Sequence, residues 1–339
     1  MEKQGIVKAI ETSRSRGIFP SQLEPQLNLL AGDGSTRCYW RLSFGSDSVV
    51  MCIDESENRQ TMVKNMMGVQ KAYQQNRVRV PEVYDYDYEL GYILQEDLGD
   101  RAFAQTLSQV SSVAEEYALY QKILDQLILI HGISSERYEK QAFTQMSFDV
   151  EKLMWEVNFT LTHFIKGHLG IELSDKDKAL ILDSFSGICE KLASAKHVVT
   201  HRDFHSRNIM CKEKEFVIID FQDCRMGIPQ YDLVSLLDDC YFKLHPENHA
   251  RLKRYYWDKF MSQRALQGSW DEFIYLYDMM AIQRIFKALG SFGYISKTKN
   301  NPKFIRYIGY SFENLRTILY KHSQLSPLRK TLAGLYYGA

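Results

Sequence analysis

No apolar run in this chain approaches the roughly 20 residues that would span a bilayer. Met1-Glu2-Lys3-Gln4-Gly5 is followed by no apolar signal region. A cytoplasmic chain with no membrane partner is expected. Cysteine is scarce: Cys38, Cys52, Cys189, Cys211, Cys224 and Cys240 are scattered, with no Cys-x-x-Cys pair. That pattern argues against a disulfide frame or a zinc site and fits reduced thiols. Proline is sparse, and neither repeats nor low-complexity stretches are visible. Net charge is absent as well, with 42 basic and 42 acidic side chains, so nothing global points to nucleic acid or an anionic membrane. One further absence is local. The strand-like run Val49-Val50-Met51-Cys52-Ile53-Asp54 contains no lysine.

What is present suits an ordinary globular protein, 45% hydrophobic and 25% charged. At 339 residues the chain can build two cores. A short helix is expected over 3–15 and a loop around Pro20 and Pro25. Leu29–Leu42 reads as strand, glycine loop, strand, with a further strand over 48–53. The apolar set Met62, Val63, Met66, Met67 and Val69 predicts a helix over 56–75. Strands over 83–88 and 92–95 turn at Leu90-Gly91, and from residue 101 the pattern is mainly helical. Helices are expected over 112–131 and 147–169, and another after Ser174-Asp175-Lys176-Asp177, which reads as a capping box.

The most informative stretch is Val199-Thr200-His201-Arg202-Asp203-Phe204-His205-Ser206-Arg207-Asn208, followed by Phe216-Val217-Ile218-Ile219-Asp220-Phe221-Gln222-Asp223. His-Arg-Asp with an asparagine five residues after the aspartate is the catalytic-loop spacing of kinases. Phosphoryl transfer needs a carboxylate at the acceptor hydroxyl, a role open to Asp203. It also needs oxygen ligands for Mg²⁺, which Asn208 and Asp220 can supply. Phe216–Ile219 is an apolar, β-branched run. An aspartate ending such a buried strand is costly unless its charge is compensated, and magnesium with a triphosphate would compensate it. Asp223 is either a ligand for a second metal or a turn cap. Asp232, opening the next helix, is placed to tie the loop down, and Asp238–Tyr241 ends that helix beside an expected acceptor site.

The remaining candidates are weaker. Gly34, Ser35 and Thr36 can cover nucleotide phosphates with backbone N–H groups and hydroxyls, although a glycine pair in a hairpin is more often only a turn. Arg41 and Arg59 are the basic residues that could replace the missing strand lysine. Leu94-Gln95-Glu96-Asp97-Leu98-Gly99-Asp100 would place Glu96, Asp97 and Leu98 at the adenine edge, although capping by Asp100 explains the same residues. For the acceptor, Glu151 and Trp155 can border a sugar pocket, against the plainer reading of a solvated helix face. His205, Asp239, Arg284 and Lys287 complete the acceptor set. His131 reads as structural.

Five segments together resemble the aminoglycoside phosphotransferase/choline kinase superfamily: Gly32–Arg37, Leu94–Asp100, His201–Met210, Ile219–Asp223 and Gly227–Leu237. They are closest to its bacterial N-acetylmuramate/N-acetylglucosamine anomeric kinase branch. The resemblance runs from about residue 30 to about residue 310 and includes Ile282–Gly290. It implies an α+β, bilobed protein-kinase-like fold: a small β-rich, nucleotide-binding N-lobe over 1–97 and a larger, mainly helical catalytic and substrate-binding C-lobe over 98–339. It also implies ATP and Mg²⁺ and phosphorylation of the C1 hydroxyl of an amino sugar in cell-wall recycling; separately, a monomer is expected. Asp203 becomes the catalytic base, with Asn208 and Asp220 the metal ligands.

Charge bears separately on the acceptor. Residues 281–339 carry ten basic side chains and one acid, Glu313, the reverse of what a polycationic aminoglycoside would need. A lactyl carboxylate could meet Arg284 or Lys287. A choline or ethanolamine kinase stays open through Trp155, Phe159 and Tyr241, which could form an aromatic cage. The absent strand lysine leaves a pseudokinase scaffold open too. A protein kinase is disfavoured, because the path from Asp220 to Asp232 is short and carries no Ala-Pro-Glu.

Overall fold

A computed structural model of the chain describes residues 2–18, 24–30, 37–262 and 268–338. It divides into two compact units, one formed by Met1–Thr106 with Asn208–Asp223, the other by Leu107–Arg207 with Cys224–Ala339. The proposed phosphate loop residues Gly34, Ser35 and Thr36 lie outside the described residues.

The smaller unit is built on five antiparallel strands: β1 (Gln26–Leu30), β2 (Arg37–Phe44), β3 (Asp47–Asp54), β4 (Val83–Asp87) and β5 (Tyr92–Glu96). They are ordered β1-β2-β3-β5-β4. Helix α1 (Glu2–Ser15) sets Ile6, Ala9 and Ile10 against Trp40, Leu42, Met51, Ile53, Tyr92 and Leu94 of the sheet. The alternation of β2 and the denser apolar run of β3 place these side chains on the covered face. Helix α2 (Arg59–Gln75) starts three residues later than its apolar pattern suggested. Asp54 accepts the Ser56 amide, and Ser56 O accepts that of Arg59, so this stretch is a turn before the helix begins. A short helix, α3 (Phe103–Leu107), follows β5.

Among the described residues the larger unit is helical apart from its loops and one two-stranded ladder. Its helices are α4 (Val113–His131), α5 (Ala142–Gln145), α6 (Val150–Thr160), α7 (Asp175–Ser194), α8 (Gln230–Leu237), α9 (Pro246–Tyr256), α10 (Trp270–Thr298), α11 (Ile308–Tyr320) and α12 (Ser326–Tyr337). Strands β6 (Val198–Thr200) and β9 (Arg225–Gly227) form the ladder. Strands β7 (Ile209–Lys212) and β8 (Glu215–Ile218) pair with each other and belong to the smaller unit. The capping box is present: Ser174 accepts the Asp177 amide and donates its hydroxyl to the Asp177 carboxylate.

Helix α10 is the axis of the larger unit, with one continuous stretch, Tyr277–Phe286, buried throughout. Its buried polar members are paired, Asp278 with Lys321, Gln283 with Glu156 and Arg284 with Ser235, and α10 packs on α6, α7, α8 and α11. At Gly290 a Cβ would stand 2.8 Å from the Thr160 Cα, and at Gly293 it would strike the His163 carbonyl. The close approach falls where α6 gives way to a π-helical turn, Leu161–Lys166. The single helix expected over 147–169 is therefore α6 plus this turn. The fold class is the α+β one expected, with a five-stranded antiparallel sheet and a mostly helical remainder.

Candidate active site

In the larger unit, β6 delivers His201, Arg202 and Asp203 to a loop that α8 holds from within. The Asp232 carboxylate, fully buried, accepts the His201 amide at 2.6 Å and the Arg202 amide at 2.8 Å. It also meets His131 Nε2 at 3.1 Å, while His131 Nδ1 reaches the Tyr256 hydroxyl at 2.6 Å. Asp232 thus ties the loop down as expected, and His131 is structural. Asp239 is a second brace, buried, with its oxygens accepting the amides of Ser206 and Tyr241 at 2.9 and 2.8 Å. Asp238 beside it accepts from Tyr277, His249 and Asn314. Between these anchors Arg202 takes φ 82°, a strained value for a residue with a Cβ.

The Asp203 carboxylate, 27% exposed, faces three cations: Lys287 Nζ at 3.6 Å, an Arg284 Nη at 3.7 Å and Arg202 Nε at 3.9 Å. Burial pushes its carboxyl up. Lys287, Arg202 and Arg284 more than offset that and hold it well below the usual carboxylate range. Arg284 is buried, donates to the Ser235 hydroxyl, and lies over the Tyr231 ring. Burial lowers His205 to about 3 against the pull of Asp203, so its imidazole is neutral. It meets the Tyr241 ring edge-on at 5.2 Å.

In the smaller unit β8 ends at Ile218, and Asp220 follows at φ 63°, also left-handed. Asn208 O accepts the Ile219 amide, which fixes the two segments side by side. The Asp220 carboxylate, 38% exposed, meets the Asn208 amide nitrogen at 3.3 Å, Gln222 Nε2 at 2.9 Å and an Arg37 Nη at 3.4 Å. One carboxylate and one carboxamide standing together offer hard oxygen donors suited to Mg²⁺, which completes its shell with water and phosphate. Among the described residues no group of three or more His, Cys, Asp or Glu side chains could hold a metal by itself.

The other nucleotide candidates are engaged within the same unit. Arg41 grips Asp97 through two nitrogens at 2.6 and 3.0 Å and Asp100 at 2.9 Å. Asp97 also accepts from Ser48 at 2.7 Å. Glu96 takes Arg79 at 2.8 and 2.9 Å and Lys212 at 2.8 Å. Burial pushes the Glu96 carboxyl up, but Arg79 and Lys212 prevail and hold it at about 2. Arg59 is turned to the Glu89 carbonyl at 2.6 Å, and Leu98 is buried.

On the acceptor side, Arg284 and Lys287 come together at Asp203. Glu151 and Trp155 instead occupy exposed positions on α6. Trp155 is 54% exposed, with Lys152 Nζ 3.8 Å from its ring centre. Sequence reasoning gave no role to Arg37 or to the Arg207 guanidinium, which sits over Tyr241 at 4.9 Å and Phe304 at 5.2 Å. The only signal for Arg37 was a base directly after the glycine loop.

A five-stranded antiparallel sheet followed by a mostly helical chain, with a His-Arg-Asp loop braced on a buried aspartate, defines a kinase-like phosphotransferase. The chain belongs to the phosphotransferase enzyme family, whose model matches residues 26–263. It is 29% identical over 323 residues to the N-acetylmuramate/N-acetylglucosamine kinase of Neisseria meningitidis serogroup B, covering 94% of this chain and 92% of that protein. Its fold is shared with the ADP-bound aminoglycoside phosphotransferase APH(2'')-Ib, at TM-score 0.61 and 13% identity, covering 89% and 95% of the two chains. The choline kinase LicA of Streptococcus pneumoniae also shares it, at TM-score 0.62 and 12% identity, covering 95% and 100%. Among the described residues no helix is long and apolar enough to cross a membrane.

Proposed function

We propose that this protein is a cytoplasmic, monomeric, ATP-dependent kinase that phosphorylates the anomeric C1 hydroxyl of an amino sugar, N-acetylmuramate or N-acetylglucosamine, in peptidoglycan recycling. Residues 1–97 serve the nucleotide, and residues 98–339 carry catalysis and acceptor binding. Asp203 orients the acceptor hydroxyl and takes its proton. Asn208 and Asp220 hold Mg²⁺, which when bound neutralises charge on the nucleotide phosphates. Gly34, Ser35 and Thr36 cover those phosphates, and the Glu96–Leu98 backbone meets the base. Here the Glu96 and Asp97 side chains act as ion-paired supports.

The observation that carries the reading is the cationic surround of Asp203. A carboxylate held this far below its usual range is a weak base. It suits an acceptor more acidic than a simple alcohol, and a hemiacetal hydroxyl, whose ring oxygen withdraws charge, is one. The same cations favour a lactyl carboxylate and disfavour a polycationic aminoglycoside. A quaternary amine would need open aromatic faces, yet Arg207 lies over Tyr241 and Phe304. The full-length likeness to a named amino-sugar kinase supports the same choice.

The test is ATP consumption with N-acetylmuramate, N-acetylglucosamine, choline and kanamycin offered in parallel. Turnover on the two sugars is expected. Turnover on choline alone would sink the reading.

A further inference from the structure

Strand β3, Asp47–Asp54, carries no basic residue, and a kinase-like site needs a cation on the nucleotide's phosphates. The two arginines nearest in sequence are committed elsewhere. Arg41 is closed on Asp97 and Asp100, and Arg59 bonds the Glu89 carbonyl. Arg37 opens β2, in register with Asp54 at the end of β3, so its position on the sheet adjoins the strand that lacks the base. Its side chain is 14% exposed, and one guanidinium nitrogen stands 3.4 Å from the Asp220 carboxylate. Closed arginine–carboxylate contacts run at about 2.7–2.9 Å. The Arg37–Asp220 contact is wider than that and than the 2.6 Å of Arg41–Asp97.

We propose that Arg37 holds the phosphates of the nucleotide in place of the lysine that β3 lacks, and that it acts as counter-ion to Asp220 until metal and nucleotide bind. This rests on the reading of Asp220 as the metal-side carboxylate. A divalent cation on Asp220 repels a guanidinium 3.4 Å away, and the triphosphate that arrives with the metal offers that guanidinium a new anion. A planar guanidinium meets two phosphate oxygens at once and never loses its charge. Removing it therefore costs affinity for phosphates without touching the adenine edge.

Equilibrium binding of Mg·ATP and of adenosine separates these contributions. In Arg37→Ala and Arg37→Gln, the ratio of ATP to adenosine affinity falls on the order of 10- to 100-fold, and adenosine binding is unchanged. Arg37→Lys restores part of the ratio. Arg41→Ala leaves the ratio intact. Circular dichroism confirms folding of each variant, and the neutral, polar Gln variant decides the matter if the Ala variant is unfolded. A wild-type ratio in Arg37→Gln, or a ratio lost in Arg41→Ala, overturns the assignment. Wild-type protein that binds no ATP overturns the nucleotide reading and this inference together. ATP binding that depends on Arg37, with no sugar turned over, overturns only the acceptor reading.

Discussion

At Asp203 the charge is set by its neighbours more than by its own chemistry. Burial pushes the carboxyl up, and Lys287, Arg202 and Arg284 more than offset that. Because the folded pKa is depressed, the ionised form stabilises the fold above the ordinary carboxylate range, and that contribution is lost as pH falls below it. Lys287→Met removes the first-named of these cations. The acid limb of kcat/KM should move to higher pH, and an unchanged limb would assign that titration to another group. Arg284→Met and Lys287→Met should also raise KM for N-acetylmuramate more than for N-acetylglucosamine, since only the former carries a carboxylate; steady-state kinetics on both sugars reads this. Asp203→Asn should lower turnover by orders of magnitude while Mg·ATP affinity, measured calorimetrically, holds. Unchanged turnover would mean that the base lies elsewhere.

The elements that carry these residues depend on a few buried contacts. Asp232→Ala would strand the amides of His201 and Arg202 inside the protein. At roughly 1–3 kcal/mol for each unsatisfied buried group, a loss of about 2–6 kcal/mol is expected in urea unfolding, with activity lost from the fraction still folded. Gly290→Ala would press a methyl against Thr160, where α10 meets the end of α6. Overpacking of that kind costs about 1–3 kcal/mol and should lower Tm without shifting KM for ATP.

At this scale the sequence was most legible where interactions are local. The Ser174 capping box, β6, the apolar run of β8 and the brace at Asp232 were all readable from spacing or periodicity. The π turn after α6 was not, because the close crossing with α10 that it accompanies comes from residues more than 120 positions away. Arg37 beside Asp220 and Arg41 closed on Asp97 were missed for the same reason. No periodicity links a base on β2 to a carboxylate 183 residues later.

Over the whole molecule, zero net charge conceals an uneven distribution. The ten bases of residues 281–339 do different things. Arg284 and Lys287 face Asp203, Lys321 pairs with Asp278, and Arg316 pairs with Glu313. The first two stand where the proposed function puts the acceptor. The fold itself does not choose the acceptor. Proteins named for aminoglycosides and for choline share it at 12–13% identity, so the choice rests on the charges around Asp203 and on the covered aromatic faces.

The central claim is phosphorylation at the anomeric carbon. Phosphorus NMR of the product formed from ATP and N-acetylmuramate tests it most directly. A phosphate resonance coupled to the anomeric proton, formed by the wild type and absent with Asp203→Asn, is predicted. A phosphate on any other hydroxyl, or product formed only from choline, would contradict it.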